Sequence, residues 1–155
     1  MPMLNWIWLS VAVLALDQIT KRLIDGSMQL YQSIELIPFL QLTYLRNEGA
    51  AFSFLADAGG WQRWFFIGIA LVASVLICRW LIRLEKTQRW EAAAWALILG
   101  GALGNITDRI LYGYVIDFID VYYSRWHFPP FNVADSAVTV GVAILLLDTV
   151  RVRQS

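Results

Sequence analysis

A chain of 155 residues with one cysteine and one histidine has few ways to hold a metal or to build a covalent catalyst. Cys78 has no partner for an internal disulfide and cannot belong to a cysteine cluster; its place in an apolar run suits a small buried hydrophobe. With His127 alone there is no HExxH zinc motif, and no serine stands with it in a recognisable nucleophile setting. Neither a metal nor a cofactor is expected. Charge is scarce too: Asp, Glu, Lys and Arg make up 15% of the residues and sum to zero, so no nucleic-acid partner is expected.

Apolar surface is what the chain has in excess. Hydrophobic residues reach 59% and the mean hydropathy is +0.57, while eight Trp, six Tyr and eight Phe suit the aromatic belts of a bilayer interface. A helix needs about 20 predominantly apolar residues to cross a bilayer. That ruler finds four candidate spans, at residues 6–23, 64–84, 90–111 and 131–150. The first lacks the basic n-region and small-residue cleavage site of a signal peptide and is read as a retained span. The expected fold is an all-α integral membrane protein, a four-transmembrane-helix bundle forming a single domain over 1–155.

Orientation follows from the connections, because short loops rich in Lys and Arg stay in the cytoplasm. Arg79, Arg83, Lys86 and Arg89 surround the second connection, and Arg151 and Arg153 lie in the C-terminal tail. Both termini and the middle loop are therefore expected to be cytoplasmic, although Lys21, Arg22, Arg46, Arg63, Arg109 and Arg125 lie on or near the other side. The connections 24–63 and 112–130 then face outward. In the first, Met28, Leu30, Ile34 and Leu36 alternate with polar residues, Pro38 intervenes, and Leu40, Leu42 and Tyr44 resume the period of two. This predicts a small extracytoplasmic β element, a short pair of strands lying on the membrane.

Charged residues within spans are costly, about 2.5–3.5 kcal/mol at a helix centre, so each asks for a reason. Asp17 and Lys21 in LDQITKR are four apart and suited to an ion pair. In GGALGNITDRI, Gly101, Gly104, Asn105, Asp108 and Tyr112 follow helical spacing along one face, where small residues admit a neighbouring helix. Arg109 adjoins Asp108, and a guanidinium this near favours an ionised carboxylate. In VIDFIDV, Asp117 and Asp120 are embedded among apolar residues of the second outward connection, a setting that raises a carboxyl pKa by desolvation. Asn132, Asp135, Ser136 and Thr139 form a polar stripe at the outward end of the last span. Two carboxyls sharing a proton are a known way to hydrolyse an amide without a covalent intermediate, one activating water and the other polarising the carbonyl.

DQITK, NEGAAFSF, GNITDR, VIDFIDV and FNVADSAVTVG, in that order on a four-span chain, resemble the bacterial lipoprotein signal peptidases, the type II signal peptidase family. The resemblance covers essentially the whole chain. It implies an aspartyl endopeptidase of the bacterial inner membrane that cleaves before the lipidated cysteine of diacylglyceryl-modified prolipoproteins, with its active site near the outer face. It implies Asp117 and Asp135 as the catalytic pair. Asp17, Lys21, Asn47, Gly49, Ala50, Asn105, Asp108, Arg109, Asn132 and Ala134 would bind substrate or shape the site. Membrane lipids and globomycin-like peptide inhibitors are implied partners. The competing class, a small proton-coupled membrane transporter, would keep its carboxylates near the midplane, whereas these cluster toward the outward ends of three spans.

The orientation is open to direct test. A reporter inserted beside Lys86 is expected to read cytoplasmic and one in the connection 112–130 extracytoplasmic; the opposite pattern would reverse the assignment.

Overall fold

A computed structural model describes residues 3–49 and 61–152. A short 3-10 turn, Met3–Trp6, leads into α1 (Ile7–Ser27). Two strands follow, β1 (Ser33–Ile37) and β2 (Leu40–Asn47), then α2 (Trp61–Arg83) and α3 (Arg89–Tyr112). The chain continues through β3 (Val115–Tyr123) and β4 (Trp126–His127) to α4 (Val133–Val152).

Helix α3 packs against the other three helices and is the axis of the bundle. Its composition explains why. Gly100, Gly101 and Gly104 turn bare backbone toward two neighbours: a Cβ on Gly100 would come within 2.7 Å of the Ser10 carbonyl oxygen of α1, and one on Gly101 would run into the Ala134 carbonyl oxygen of α4. Ser10 Oγ donates to the Ala96 carbonyl at 2.7 Å, a hydrogen bond from α1 to α3 at a buried point. On the other flank Ile77 and Leu81 of α2 close over Ala92 and Leu99. Gly113, in the left-handed region at φ 87°, ends α3 by donating its N–H to the Arg109 carbonyl.

The strands form one antiparallel sheet in the order β1-β2-β3-β4. Pro38 and Phe39 turn the first hairpin, Phe39 taking the positive φ of 76° that a type II turn needs at its second corner. Between Leu42 and Leu45 strand β2 carries one more residue than the facing stretch of β3. This bulge re-aims the end of β2 and drives Tyr44 inward. Tyr44 packs with Ile116 and Phe118 of β3 and with Ile24 and Met28 at the end of α1, a core that holds the sheet on the bundle.

Several expectations change. The β element is a four-stranded sheet rather than a pair of strands, because VIDFIDV is strand β3 and not a loop. Helix α1 runs to Ser27, beyond the expected end at residue 23, since the charges of its last turns find partners. Helix α2 begins at Trp61 rather than 64, and α4 at Val133 rather than 131. Among the described residues α2 and α4 are long and apolar enough to cross a membrane by composition alone. Helices α1 and α3 match them in length, with 21 and 24 residues, but carry acids and bases that a hydropathy ruler counts against them.

Gly101→Ala is expected to force α3 and α4 apart and cost about 1–3 kcal/mol, read as a lower unfolding temperature in detergent micelles. Gly68→Ala, where nothing lies within 4 Å of the added methyl, serves as the control and should be neutral or slightly stabilising.

Candidate active site

The site grows from one turn of α1. Asp17 and Lys21 face α3 one helical turn apart, with Lys21 Nζ 2.8 Å from Asp17 Oδ2 and 3.0 Å from Asp108 Oδ2, all three side chains fully buried. Gly104 makes the approach possible, since a Cβ there would come within 2.5 Å of Asp17 Oδ2. The other Asp17 oxygen accepts the backbone N–H of Ala134 at 2.9 Å, satisfying a donor in the first turn of α4 that has no partner within its helix. Asp108 also takes Gln18 Nε2 at 3.0 Å, Arg22 at 3.3 Å and the Ile116 N–H of β3 at 3.2 Å. One buried cluster thereby ties α1, α3, α4 and β3 together.

Two asparagines carry this cluster to the remaining acids. Lys21 donates its third hydrogen bond to Asn105 Oδ1 at 2.9 Å, which turns the Asn105 amide N–H toward Asp135 Oδ1 at 2.7 Å. Asn132 caps α4: its Oδ1 accepts the Asp135 N–H at 2.9 Å, and Asp135 Oδ2 accepts the Asn132 N–H at 3.3 Å. This reciprocal arrangement is a capping box, with Asp where Glu is commoner. Fully buried Asn132 then spends its amide N–H groups on Asp117 Oδ1 at 2.8 Å, the Ile116 carbonyl and Asn105 Oδ1. Asn47, the last residue of β2, donates to the other Asp117 oxygen at 3.0 Å and accepts the Gly49 N–H at 2.9 Å. Gly49 itself takes φ 104° against the Phe66 ring, a conformation and a contact that suit glycine alone.

Asp117 is 4% exposed. Burial pushes its carboxyl up to about 7, and the nearby charge of Asp135 adds to the rise; hydrogen bonds from Asn47 and Asn132 and the charge of Lys21 oppose it. Asp135 is less enclosed, at the start of α4. Arg109 lies over the Phe66 ring, 5.1 Å to its centroid, within electrostatic reach of both Asp117 and Asp135. The arrangement therefore offers one carboxyl that keeps its proton to near neutrality beside a second, more open carboxylate. No group of three or more His, Cys, Asp or Glu side chains converges as a metal site among the described residues.

Most candidates meet here: Asp17, Lys21, Asn47, Asn105, Asp108, Asn132, Ala134, Asp117 and Asp135 share one hydrogen-bonded network. Ala50 lies outside the described residues. Asp108 makes its ion pairs with Lys21 and Arg22, while Arg109, about 100° further round the helix, turns to the Phe66 ring. Ser136 and Thr139 return their hydroxyls to the carbonyls one turn back, those of Asn132 and Asp135. His127, the single histidine of the sequence, contacts buried Asp120 through Nδ1 at 3.0 Å. Gln18 and Arg22 were missed, although they repeat the i, i+4 spacing of Asp17 and Lys21 one residue on.

Comparison with known proteins agrees along the whole chain. A profile of the family described as signal peptidase (SPase) II matches residues 9–151. The chain is 52% identical over 145 residues to the lipoprotein signal peptidase of Alteromonas mediterranea, covering 94% of this chain and 80% of that one. It is 51% identical over 154 residues to that of Pseudomonas paraeruginosa, covering 98% and 91%. Two solved bacterial membrane enzymes, 35% and 36% identical, superpose with TM-scores of 0.84 and 0.83 over 95% and 94% of this chain and 88% and 92% of theirs.

Lys21→Met should leave two buried carboxylates without their shared cation and cost about 3–5 kcal/mol, lowering the unfolding temperature in detergent. Adding Asp17→Asn should recover part of that loss. A Lys21→Met protein that unfolds like wild type would show the cluster is dispensable to the fold.

Proposed function

Since the chain belongs to the signal peptidase II family, we propose that it removes signal peptides from prolipoproteins with Asp117 and Asp135 as its catalytic pair. It is an aspartic peptidase of the bacterial inner membrane. The observation that carries the assignment is the joint tethering of these two acids, from different elements, to the Asn105 and Asn132 amides. A proton-coupled transporter finds no support among the relatives.

In the proposed reaction Asp117 is protonated and hydrogen-bonds the scissile carbonyl oxygen, while ionised Asp135 takes a proton from water as its oxygen attacks the carbonyl carbon. Collapse of the tetrahedral intermediate breaks the C–N bond, the leaving amine takes up a proton from Asp135, and Asp117 recovers its own. Arg109 stabilises the negative charge that builds on the substrate. The strands offer an edge to an extended peptide, as strand addition does elsewhere. The substrate proposed is a prolipoprotein carrying a diacylglyceryl cysteine, cut immediately before that cysteine. Membrane lipids surround the enzyme, and globomycin-like peptides occupy the same groove.

All four helices are proposed to span the bilayer, with both termini cytoplasmic and the acids near the outer face. Two features support it. Four helices of 20–24 residues are about 30–36 Å long, matching a bilayer core of about 30 Å. The charges that most burden α1 and α3 in composition, Asp17, Lys21 and Asp108, are paired inside the bundle and not presented to lipid.

Asp117→Asn and Asp135→Asn are each expected to abolish cleavage of a lipidated prolipoprotein while the purified proteins still bind a peptide inhibitor. Wild-type turnover should fall as pH rises through about 7, because Asp117 then loses the proton it must donate; Asn47, Asn132, Asp135, Lys21 and Arg109 are the groups that bear on it. The same raised pKa means that ionising Asp117 opposes folding, so stability falls from the ordinary carboxyl range up to about pH 7. Asp117→Asn should therefore unfold at a higher temperature than wild type at pH 8. Clear turnover in Asp117→Asn would remove it from the pair.

A further inference from the structure

Asn47 reaches Asp117 from the last residue of β2, beyond the bulge, where the strand would otherwise have only ladder bonds to hold it. A second network pins that segment. The Tyr44 hydroxyl donates to Asp25 Oδ1 in the last turns of α1, and Arg46 Nε donates to the Tyr44 hydroxyl oxygen at 3.0 Å. Arg46 Nη2 lies 3.6 Å from the same Asp25 oxygen, and its guanidinium stands over the Tyr114 ring, 4.7 Å to the centroid. On the other side of Asp25, Arg22 lies 3.7 Å from Oδ2 and also reaches Asp108 at 3.3 Å. Asp108 in turn holds the Ile116 N–H, next to Asp117. Both strands bearing on Asp117 are thus referenced to one stretch of α1, β2 through Asp25 and β3 through Asp108, with Arg22 joining the two carboxylates.

We propose that Asp25 is a positioning residue for hydrolysis: through Tyr44 and Arg46 it fixes the end of β2 so that the Asn47 amide stays on the Asp117 carboxyl. The inference rests on the reading of Asp117 and Asp135 as the catalytic pair. Exposure separates placement from global stability. The side chains of Asp25 and Arg46 are 34% and 41% exposed, and ion pairs this open to solvent add little to the stability of a fold. Tyr44 is different, at 2% exposed, and its hydroxyl has Asp25 as its acceptor. Removing that carboxylate leaves a nearly buried hydroxyl free to turn toward another acceptor, and the bulged residue moves with it. A displacement of about 1 Å at a catalytic hydrogen bond is enough to slow a reaction by orders of magnitude, with little change in binding.

The test is a double-mutant cycle in the full-length, detergent-solubilised protein, using a synthetic prolipoprotein peptide with a diacylglyceryl cysteine. Asp25→Ala should lower kcat about tenfold with KM changed little, and its unfolding temperature should stay near wild type. In the Asn47→Ala background the same substitution should lower kcat by less than about twofold, because the contact it positions is already gone. Asp25→Asn keeps an acceptor for Tyr44 and should restore part of the rate. Full losses that multiply in the double variant, or wild-type kcat in Asp25→Ala, would overturn the proposal. Should Asp25→Ala fail to fold, Tyr44→Phe removes the hydroxyl alone and must reproduce the kcat loss and its disappearance in the Asn47→Ala background. Asp117→Asn is run alongside: if it is dead and Asp25→Ala fully active, only the positioning role fails, whereas an active Asp117→Asn removes the catalytic reading on which it rests.

Discussion

The buried ammonium of Lys21 is the constraint from which the rest of the architecture follows. An isolated charge inside a low-dielectric bundle is prohibitive, so a lysine with no exposed surface requires carboxylates placed against it. Asp17 comes from the same helix and Asp108 from α3, which forces α1 and α3 into register at that level. Both acids then use their remaining lone pairs on backbone N–H groups, Asp17 on Ala134 and Asp108 on Ile116. These two residues immediately precede Asp135 and Asp117 in the elements that bear the acids. One ion cluster therefore sets the position of α4 and of β3 without touching either Asp117 or Asp135 directly.

From the cluster outward the polarity of each hydrogen bond is determined. Lys21 can only donate, so the Asn105 oxygen must face it and the Asn105 N–H groups must face away, toward Asp135. Asn132 is orientated in the same manner: its oxygen is taken by the Asp135 backbone N–H, which leaves its amide nitrogen for Asp117. The proposed catalytic acids are thus each met by an N–H donor whose direction is set by a buried charge or a helix terminus. Such donors cannot reverse without breaking a contact deeper in the bundle, and this is what preorganisation of the site consists of here.

Much of the site was legible in the sequence because lipid-like segments make polar residues conspicuous. Asp17, Lys21, Asn105, Asp108, Asn132 and Asp135 are interruptions in apolar runs, and their residue types limit what they can do. Partnership was less legible. Helical spacing says which residues share a face but not which helix that face meets, so the pairing of Asp108 with Lys21 and Arg22 of another helix could not be read from it. Boundaries failed for a related reason: a hydropathy ruler closes the first span at residue 23, short of Asp25, whereas α1 continues to Ser27 because Asp25 is paired with Arg22 and Arg46. Strand β3 was hidden by its own acids, since Asp117 and Asp120 break the alternation by which a strand is recognised.

Those two aspartates show how far local sequence can mislead. Both stand among Val, Ile and Phe in VIDFIDV, both are nearly buried, and the sequence alone assigns them the same desolvated fate. Three residues apart on a strand, they point to opposite faces of the sheet. Burial pushes Asp120 up as well, but hydrogen bonds from Gln41 at 2.6 Å, from His127 and from Thr43 outweigh it and hold its carboxyl below the usual range. Asp117 has two amide donors against the same burial and the added charge of Asp135, and it rises to about 7. A carboxyl kept ionised by three partners stitches β2, β3 and β4 together; one left short of donors beside another acid is able to carry a proton near neutrality. The difference between Asp120 and the proposed catalytic Asp117 lies in the other strands, through the register that sets Gln41 opposite Asp120 and Leu45 opposite Asp117. The bulge in β2 lies between those two pairs, so a single extra residue in a strand with no acid of its own sets which residue of β2 faces Asp117, the proposed proton carrier.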